Sequence, residues 1–246
     1  MRAEIIAVLI LVMVSTAAAA LDQSYIHTVS RDGTSVMEKT MELSVFSNKL
    51  TPEMLGKMAD LCRTDRDLDC DVDVEGKKIT IRENFSSGGY YTFTTDYGLP
   101  DVTYTLAVRS LPSDRFSATL DKLLVGAGVT EAASGSASPL ELTDKEANEQ
   151  TASYLKFLKV KVTYSVTMPA AISEASAGSV AGEVSGDSAT FDLLKVMEES
   201  EPITVKSSEL NLGYIVGIIG IVVLVAMAAY FLYANKPAEK APKKRK

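Results

Sequence analysis

Residues 62–78 read CRTDRDLDCDVDVEGKK, and how this string folds decides the architecture around it. Aspartate stands at every second position from Asp65 to Asp73, Cys62 and Cys70 bracket three of them, and Glu75-Gly76 follows. A calcium loop of the EF-hand kind needs oxygen ligands at loop positions 1, 3 and 5, Gly at 6 and a bidentate Glu at 12. Counted from Asp71, the chain supplies Asp71, Asp73, Glu75 and Gly76, but Arg82 stands where the closing Glu belongs. A strand explains more of the pattern. Val72, Val74, Ile79 and Ile81 share one face, Asp71, Asp73, Lys78, Thr80 and Arg82 the other, and Glu75-Gly76-Lys77 makes the turn. Opposite charges across such a pair add about a few tenths of a kcal/mol each. The string predicts a β-hairpin, with weak surface cation binding at Asp69, Asp71, Asp73 and Glu75 as the residual reading.

Upstream, residues 23–46 break at Arg31-Asp32-Gly33-Thr34, an Asp-Gly turn signal, and predict a second hairpin. One arm puts Tyr25, His27 and Val29 on a face; the other alternates less cleanly through Val36, Lys39, Met41, Leu43 and Val45. Thr51-Pro52 opens a helix running to about Cys62, with Met54, Leu55, Met58 and Leu61 as its apolar stripe. Downstream, KITIRE (78–83), YYTFTT (90–95) and DVTYTLAVR (101–109) read as an antiparallel meander, and FSATLDKLLV (116–125) as a short helix. Residues 126–139 are small and weakly polar, a connection, after which Thr143 or Asp144 caps a helix of about a dozen residues. LKVKVTYSVTMP (158–169) alternates almost throughout, placing Val160, Val162, Tyr164, Val166 and Met168 on one face. A hairpin turning at Ser185-Gly186-Asp187 and a strand at PITVKSS complete the set. The class is α+β, a mostly antiparallel sheet with helices packed on one face.

The ends of the chain set its placement. Residues 1–20 carry Arg2, an apolar run from Ile5 to Val14 and an Ala-x-Ala ending at Ala18 and Ala20, the layout of a signal peptide cleaved before Leu21. Residues 212–233, LGYIVGIIGIVVLVAMAAYFLY, hold no charge and as a helix span about 33 Å, the thickness of a hydrocarbon core. Tyr214 stands at one end of this predicted transmembrane helix and Tyr230, Phe231 and Tyr233 at the other. Residues 234–246 carry six Lys or Arg against one Glu, a basic cytoplasmic tail by the positive-inside rule. Residues 21–211 then form an extracellular domain with 30 acidic and 18 basic residues, a net charge of −12 against −7 for the whole chain. Such a domain repels nucleic acid and anionic headgroups. The two cysteines, eight positions apart in an exported domain, predict a Cys62–Cys70 disulfide.

From residue 162 to 209 the chain reads VTYSVTMPAAISEASAGSVAGEVSGDSATFDLLKVMEESEPITVKSSE, followed at once by the apolar helix and the basic tail. In this stretch it resembles the LppM-like domain family, which shows a strand ending in a Met-Pro or Phe-Pro step, a Ser-Gly-Asn/Asp turn, a Thr-Phe/Trp-Asp step, a last strand and an anchor. Those features fall here on Met168-Pro169, Ser185-Gly186-Asp187 and Thr190-Phe191-Asp192. Asp32-Gly33 and Leu111-Pro112-Ser113-Asp114-Arg115-Phe116 fit the same pattern. The resemblance implies an exported, membrane-anchored α+β surface domain, with lipid or glycolipid binding as a property of the group assigned to no residue here. The chain departs from lipoproteins in lacking a Cys after the first apolar run.

Catalytic chemistry finds little purchase. His27 is the only histidine, so zinc geometry lacks ligands and a Ser-His-Asp triad lacks a nucleophile elbow. Gly126-Ala127-Gly128 has no lysine and no strand-to-helix setting for a phosphate loop, and no cofactor is implied. Asn84-Phe85-Ser86 is an N-glycosylation acceptor sequence. Gly213 and Gly217, joined by Gly220, offer a small-residue face on which a second copy of the helix could pack into a homodimer. The expectation is a single-pass surface protein of the plasma membrane without catalysis, whose acidic domain binds a partner or supports the envelope. The alternative is a carrier of lipid or glycolipid, which needs an apolar cavity of several hundred Å³ between sheet and helices.

Overall fold

A computed structural model describes residues 22–43, 50–129, 138–157 and 160–234. The expected signal peptide and basic tail, and the middle of the expected connection at 126–139, lie outside these residues.

The first hairpin pairs β1 (Asp22–Val29) with β2 (Thr34–Glu42), and Asp32 shapes its turn by accepting from the Thr34 N–H (3.0 Å) and hydroxyl (2.6 Å). Helix α1 (Pro52–Thr64) begins as expected: the Thr51 hydroxyl accepts from Met54 N at 3.3 Å, with Pro52 at the first position. Strand β3 (Cys70–Asp73) then pairs antiparallel with β4 (Lys78–Ser86), setting Val72 opposite Ile79 and Asp73 opposite Lys78. Next come β5 (Tyr91–Tyr97), β6 (Asp101–Val108), the two-residue β7 (Ser110–Leu111) and α2 (Ser113–Gly126). After β8 (Leu140–Glu141), α3 (Lys145–Phe157) starts at Asp144, whose carboxylate accepts from Ala147 N at 3.2 Å. The remainder is β9 (Lys161–Thr167), β10 (Ile172–Ala177), β11 (Val180–Ala181), β12 (Glu183–Ser185), β13 (Ser188–Asp192), α4 (Leu193–Glu199), β14 (Ile203–Leu210) and α5 (Leu212–Ala234).

The class is α+β with mostly antiparallel sheets, yet the strands divide between two main sheets where the sequence predicts one. A seven-stranded sheet runs β12-β13-β9-β1-β2-β4-β3 and a five-stranded one β11-β10-β14-β6-β5. The meander is therefore split: β4 joins the first sheet, while β5 and β6 join the second. One pair is parallel, β1 with β9, which puts Tyr25 beside Tyr164 and His27 beside Val166. The four helices from α1 to α4 pack on the seven-stranded sheet and each other: α1 on β3 and α2, α2 on β4, and α4 on α3, β9 and β13.

Alternation explains why the sheet has one dry face. Tyr25, His27, Met37, Ile79, Ile81, Tyr164, Val166 and Phe191 all point inward and are buried. At one end of that face Tyr25 meets Phe116 of α2, ring centroids 6.0 Å apart; at the other His27 meets Tyr91 of the second sheet at 5.0 Å. The β2 arm departs from the expected pattern. Lys39, Met41 and Leu43 face inward as expected, but Ser35 and Met37 join them while Val36 faces out, because the Gly33 turn sets the register and places His27 opposite Met37 and Tyr25 opposite Lys39.

Candidate functional site

The acidic stretch is a hairpin that stands at the edge of the sheet. Val72 is buried and Val74 half-buried, whereas Asp71 and Asp73 are exposed. Asp73 is used by the turn itself: its Oδ1 accepts from Gly76 N at 2.9 Å, and a Cβ at Gly76 would collide with its Oδ2. Lys77 completes the turn in the left-handed region, φ 50°. Asp69 lies 3.7 Å from the Arg82 guanidinium. The carboxylates thus serve a turn and an ion pair and do not converge; among the described residues no His, Cys, Asp or Glu cluster has the makings of a metal site. The Cys62–Cys70 disulfide is formed and ties the end of α1 to the start of β3.

His27 is a core residue. Its Nδ1 shares a 2.6 Å hydrogen bond with the Tyr164 hydroxyl, and Nε2 finds no partner among the described residues. Burial pushes the imidazole pKa down to about 4 and the Tyr164 phenol well above its ordinary value. Lys39, also buried, rests its Nζ 5.1 Å from the Tyr25 ring centroid and 5.9 Å from that of Phe116, a cation–π arrangement. These groups face packed aromatic rings on the inner side of the sheet.

The opposite face of the seven-stranded sheet is open and rich in hydroxyls. Ser24, Thr40 and Thr80 stand in register across β1, β2 and β4, with Thr40 and Thr80 hydroxyls 3.0 Å apart. Across β9 and β13 the hydroxyls of Ser165 and Thr190 also bond at 3.0 Å. Ile26 sits among them, 41 % exposed. Arg82 Nε donates to Glu38 at 2.7 Å on this face, and that bond raises the arginine pKa above its ordinary value. Two shallow, open concavities lie on this face. One, of about 410 Å³, is lined by residues including Thr34, Val36, Asn84 and Phe85; the other, of about 230 Å³, by Ser24, Thr40, Lys78, Lys161 and others. Asn84, the acceptor of the glycosylation sequence, is exposed within β4, opposite Val36. Behind the sheet, where a carrier would hold its ligand, Tyr91, Tyr164, Phe116 and Phe191 are buried in the core.

The joint to the apolar helix is a single residue, Asn211, between β14 and α5. Its Oδ1 accepts from Tyr214 N at 3.2 Å and its carbonyl from Ile215 N at 3.2 Å, so it caps the helix. The stretch Leu212–Phe231 is long and apolar enough to cross a membrane. Gly217 and Gly220 leave open space beside the helix, while Gly213 lies near the capping Asn211. The outward hydroxyls were readable as the partners of the alternation at 160–168, and Asn211 as an N-cap residue ahead of an apolar run, but only pairing and packing bring them into place.

No family model matches the chain, and no curated protein does. Among solved structures it is similar to the NMR structure of the folded domain of the Mycobacterium tuberculosis LppM protein, at 8 % identity and a TM-score of 0.31, covering 80 % of this chain and 95 % of that one. At that score the similarity is weak.

Proposed function

We propose that the chain is a single-pass surface protein of the plasma membrane: α5 crosses the bilayer, the basic tail stays in the cytoplasm, and the acidic α+β domain stands outside. The domain acts there as a binding or envelope-structural module and performs no catalysis. The observation that carries this reading is the direct fusion of a 20-residue apolar stretch to the last strand of a packed domain. The Cys62–Cys70 bond supports an oxidising compartment for that domain. The hydroxyl-rich open face around Ile26 supplies the surface on which a polar partner would settle, and the net charge of −12 over residues 21–211 directs it away from nucleic acid.

Topology is the test. In intact cells a membrane-impermeant maleimide should label Gly89→Cys, on the exposed turn between β4 and β5, and should reach Lys240→Cys only after permeabilisation. Labelling in the reverse order would overturn the orientation, and recovery of the chain in the soluble fraction would overturn the anchor.

A further inference from the structure

Large apolar side chains crowd the corner of the domain where α5 begins. Tyr97 is 76 % exposed, Leu99 68 %, Leu210 59 % and Leu212 71 %. They converge because β5 and β6 pair Tyr97 with Val102 and β6 and β14 pair Asp101 with Leu210, so three strand ends meet at one edge. The β5–β6 turn is also fastened to the helix. Asn211 donates its backbone N–H to the Pro100 carbonyl at 2.8 Å and its side-chain amide to the Gly98 carbonyl at 3.4 Å, while the same residue caps α5. Gly98 fits this joint closely, since a Cβ there would come within 3.0 Å of the Asp101 carbonyl. The turn is thereby held at the level of the helix's first residues.

We propose that the β5–β6 turn enters the headgroup layer of the bilayer and seats the domain on the membrane that α5 crosses; the proposal rests on the reading of α5 as a span. A turn sinks toward the hydrocarbon side of that layer at less cost when its backbone polar groups are already bonded within the protein. Here two carbonyls are bonded to Asn211, and Pro100 carries no N–H. Tyr97 brings an amphipathic ring suited to the headgroup zone, and Leu99 and Leu210 bring apolar surface that water disfavours. Continuity with α5 names the occupant: a bilayer must begin where Leu212 begins. Asp96 and Asp101, both exposed beside the turn, narrow it to a zwitterionic surface, because anionic headgroups would repel them.

The chain contains no tryptophan, so single substitutions report without background. The full chain is reconstituted in phosphatidylcholine vesicles with and without bromine on the acyl chains, as Tyr97→Trp, Leu99→Trp, Gly89→Trp or Ile221→Trp. Gly89 lies at the far end of β5, about 23 Å away for seven residues of strand, and a Cβ there meets nothing. The expected result is blue-shifted emission, lost in brominated vesicles, at Tyr97→Trp, Leu99→Trp and Ile221→Trp, with Gly89→Trp unchanged. If the two turn reporters behave like Gly89→Trp while Ile221→Trp is quenched, the seated domain is overturned and the anchor stands. If Ile221→Trp is not quenched, the anchor falls and the proposal with it. Adding phosphatidylglycerol at low salt should weaken quenching at both Tyr97→Trp and Leu99→Trp while Ile221→Trp stays quenched; unchanged or stronger quenching at the turn would overturn the zwitterionic assignment.

Discussion

On the inner face of the seven-stranded sheet His27 and Lys39 are held away from water, whereas on the outer face of the same strands Glu38 and Arg82 pair in partial contact with it. The inner pair of residues is surrounded by Tyr25, Tyr91, Tyr164 and Phe116, and depends on fixed aromatic partners. In the outer pair the Arg82 side chain is 39 % exposed and that of Glu38 28 %, so solvent screens the pair and replaces it when it is lost. A position on this sheet is therefore sensitive or tolerant according to the face it takes, and alternation assigns the face.

Five measurements sharpen or break that contrast. Phe116→Ala, which removes a fully buried ring from beneath Lys39 and Tyr25, should lower stability by about 3–5 kcal/mol in urea unfolding of the detergent-solubilised chain. A smaller loss would mean that the inner face collapses around the gap. Acid acts next. The His27 pKa is about 4 when folded and 6.5 in the ordinary state, so only the unfolded chain binds the proton between those values. Its contribution is complete above pH 6.5 and is withdrawn as pH falls toward 4, about 3 kcal/mol in all. Imidazole NMR signals that titrate near pH 6.5 in the folded chain would refute this. Replacing Cys62 and Cys70 together by Ser should remove about 2.5 kcal/mol, the low end for a disulfide, because the closed loop is short.

The outer face should answer more weakly. Arg82→Gln is expected to shift the unfolding midpoint by less than about 1 kcal/mol equivalent, as exposed ion pairs do. A loss as large as that of Phe116→Ala would show the outer face to be equally constrained. Millimolar calcium should leave the thermal midpoint unmoved, since the acidic hairpin already commits Asp73 to its turn and Asp69 to Arg82. A rise abolished by Asp71→Ala would restore the calcium loop.

Local patterns carried much of this into the sequence. Val72, Ile79 and Ile81 alternate against Asp71, Asp73 and Arg82, so the hairpin and its buried side were legible. Thr51-Pro52 marked α1, and residues 212–233 marked the apolar helix. What resisted reading depends on distant residues. The parallel pairing of β1 with β9 joins strands separated by 137 positions at His27 and Tyr164, and no local signal encodes it. Lys39 fell on the alternating set with Met41 and Leu43, but that Ser35 and Met37 join it on the inner face and Val36 does not was readable only with the register of β2 known. Helix α4, LLKVMEE, is seven residues long and follows β13 with only the Asp192 cap, donated to by Leu194 N at 3.1 Å, to mark the change. The open face had the same status: the outward hydroxyls were visible strand by strand, while their assembly into a surface required the sheet order.

The parallel pair also has a consequence in time. Strand β1 sits in the middle of its sheet, between β2 and β9, but is synthesised some 130 residues ahead of β9. At about 5–20 residues per second the first hairpin waits on the order of ten seconds with one edge unpaired. Polar side chains on the inner face of such a hairpin, here Ser35, Lys39 and His27, leave its exposed surface less apolar than an all-hydrophobic face would. The Ser35 hydroxyl and His27 Nε2, without partners in the finished core among the described residues, are open to water while that edge waits.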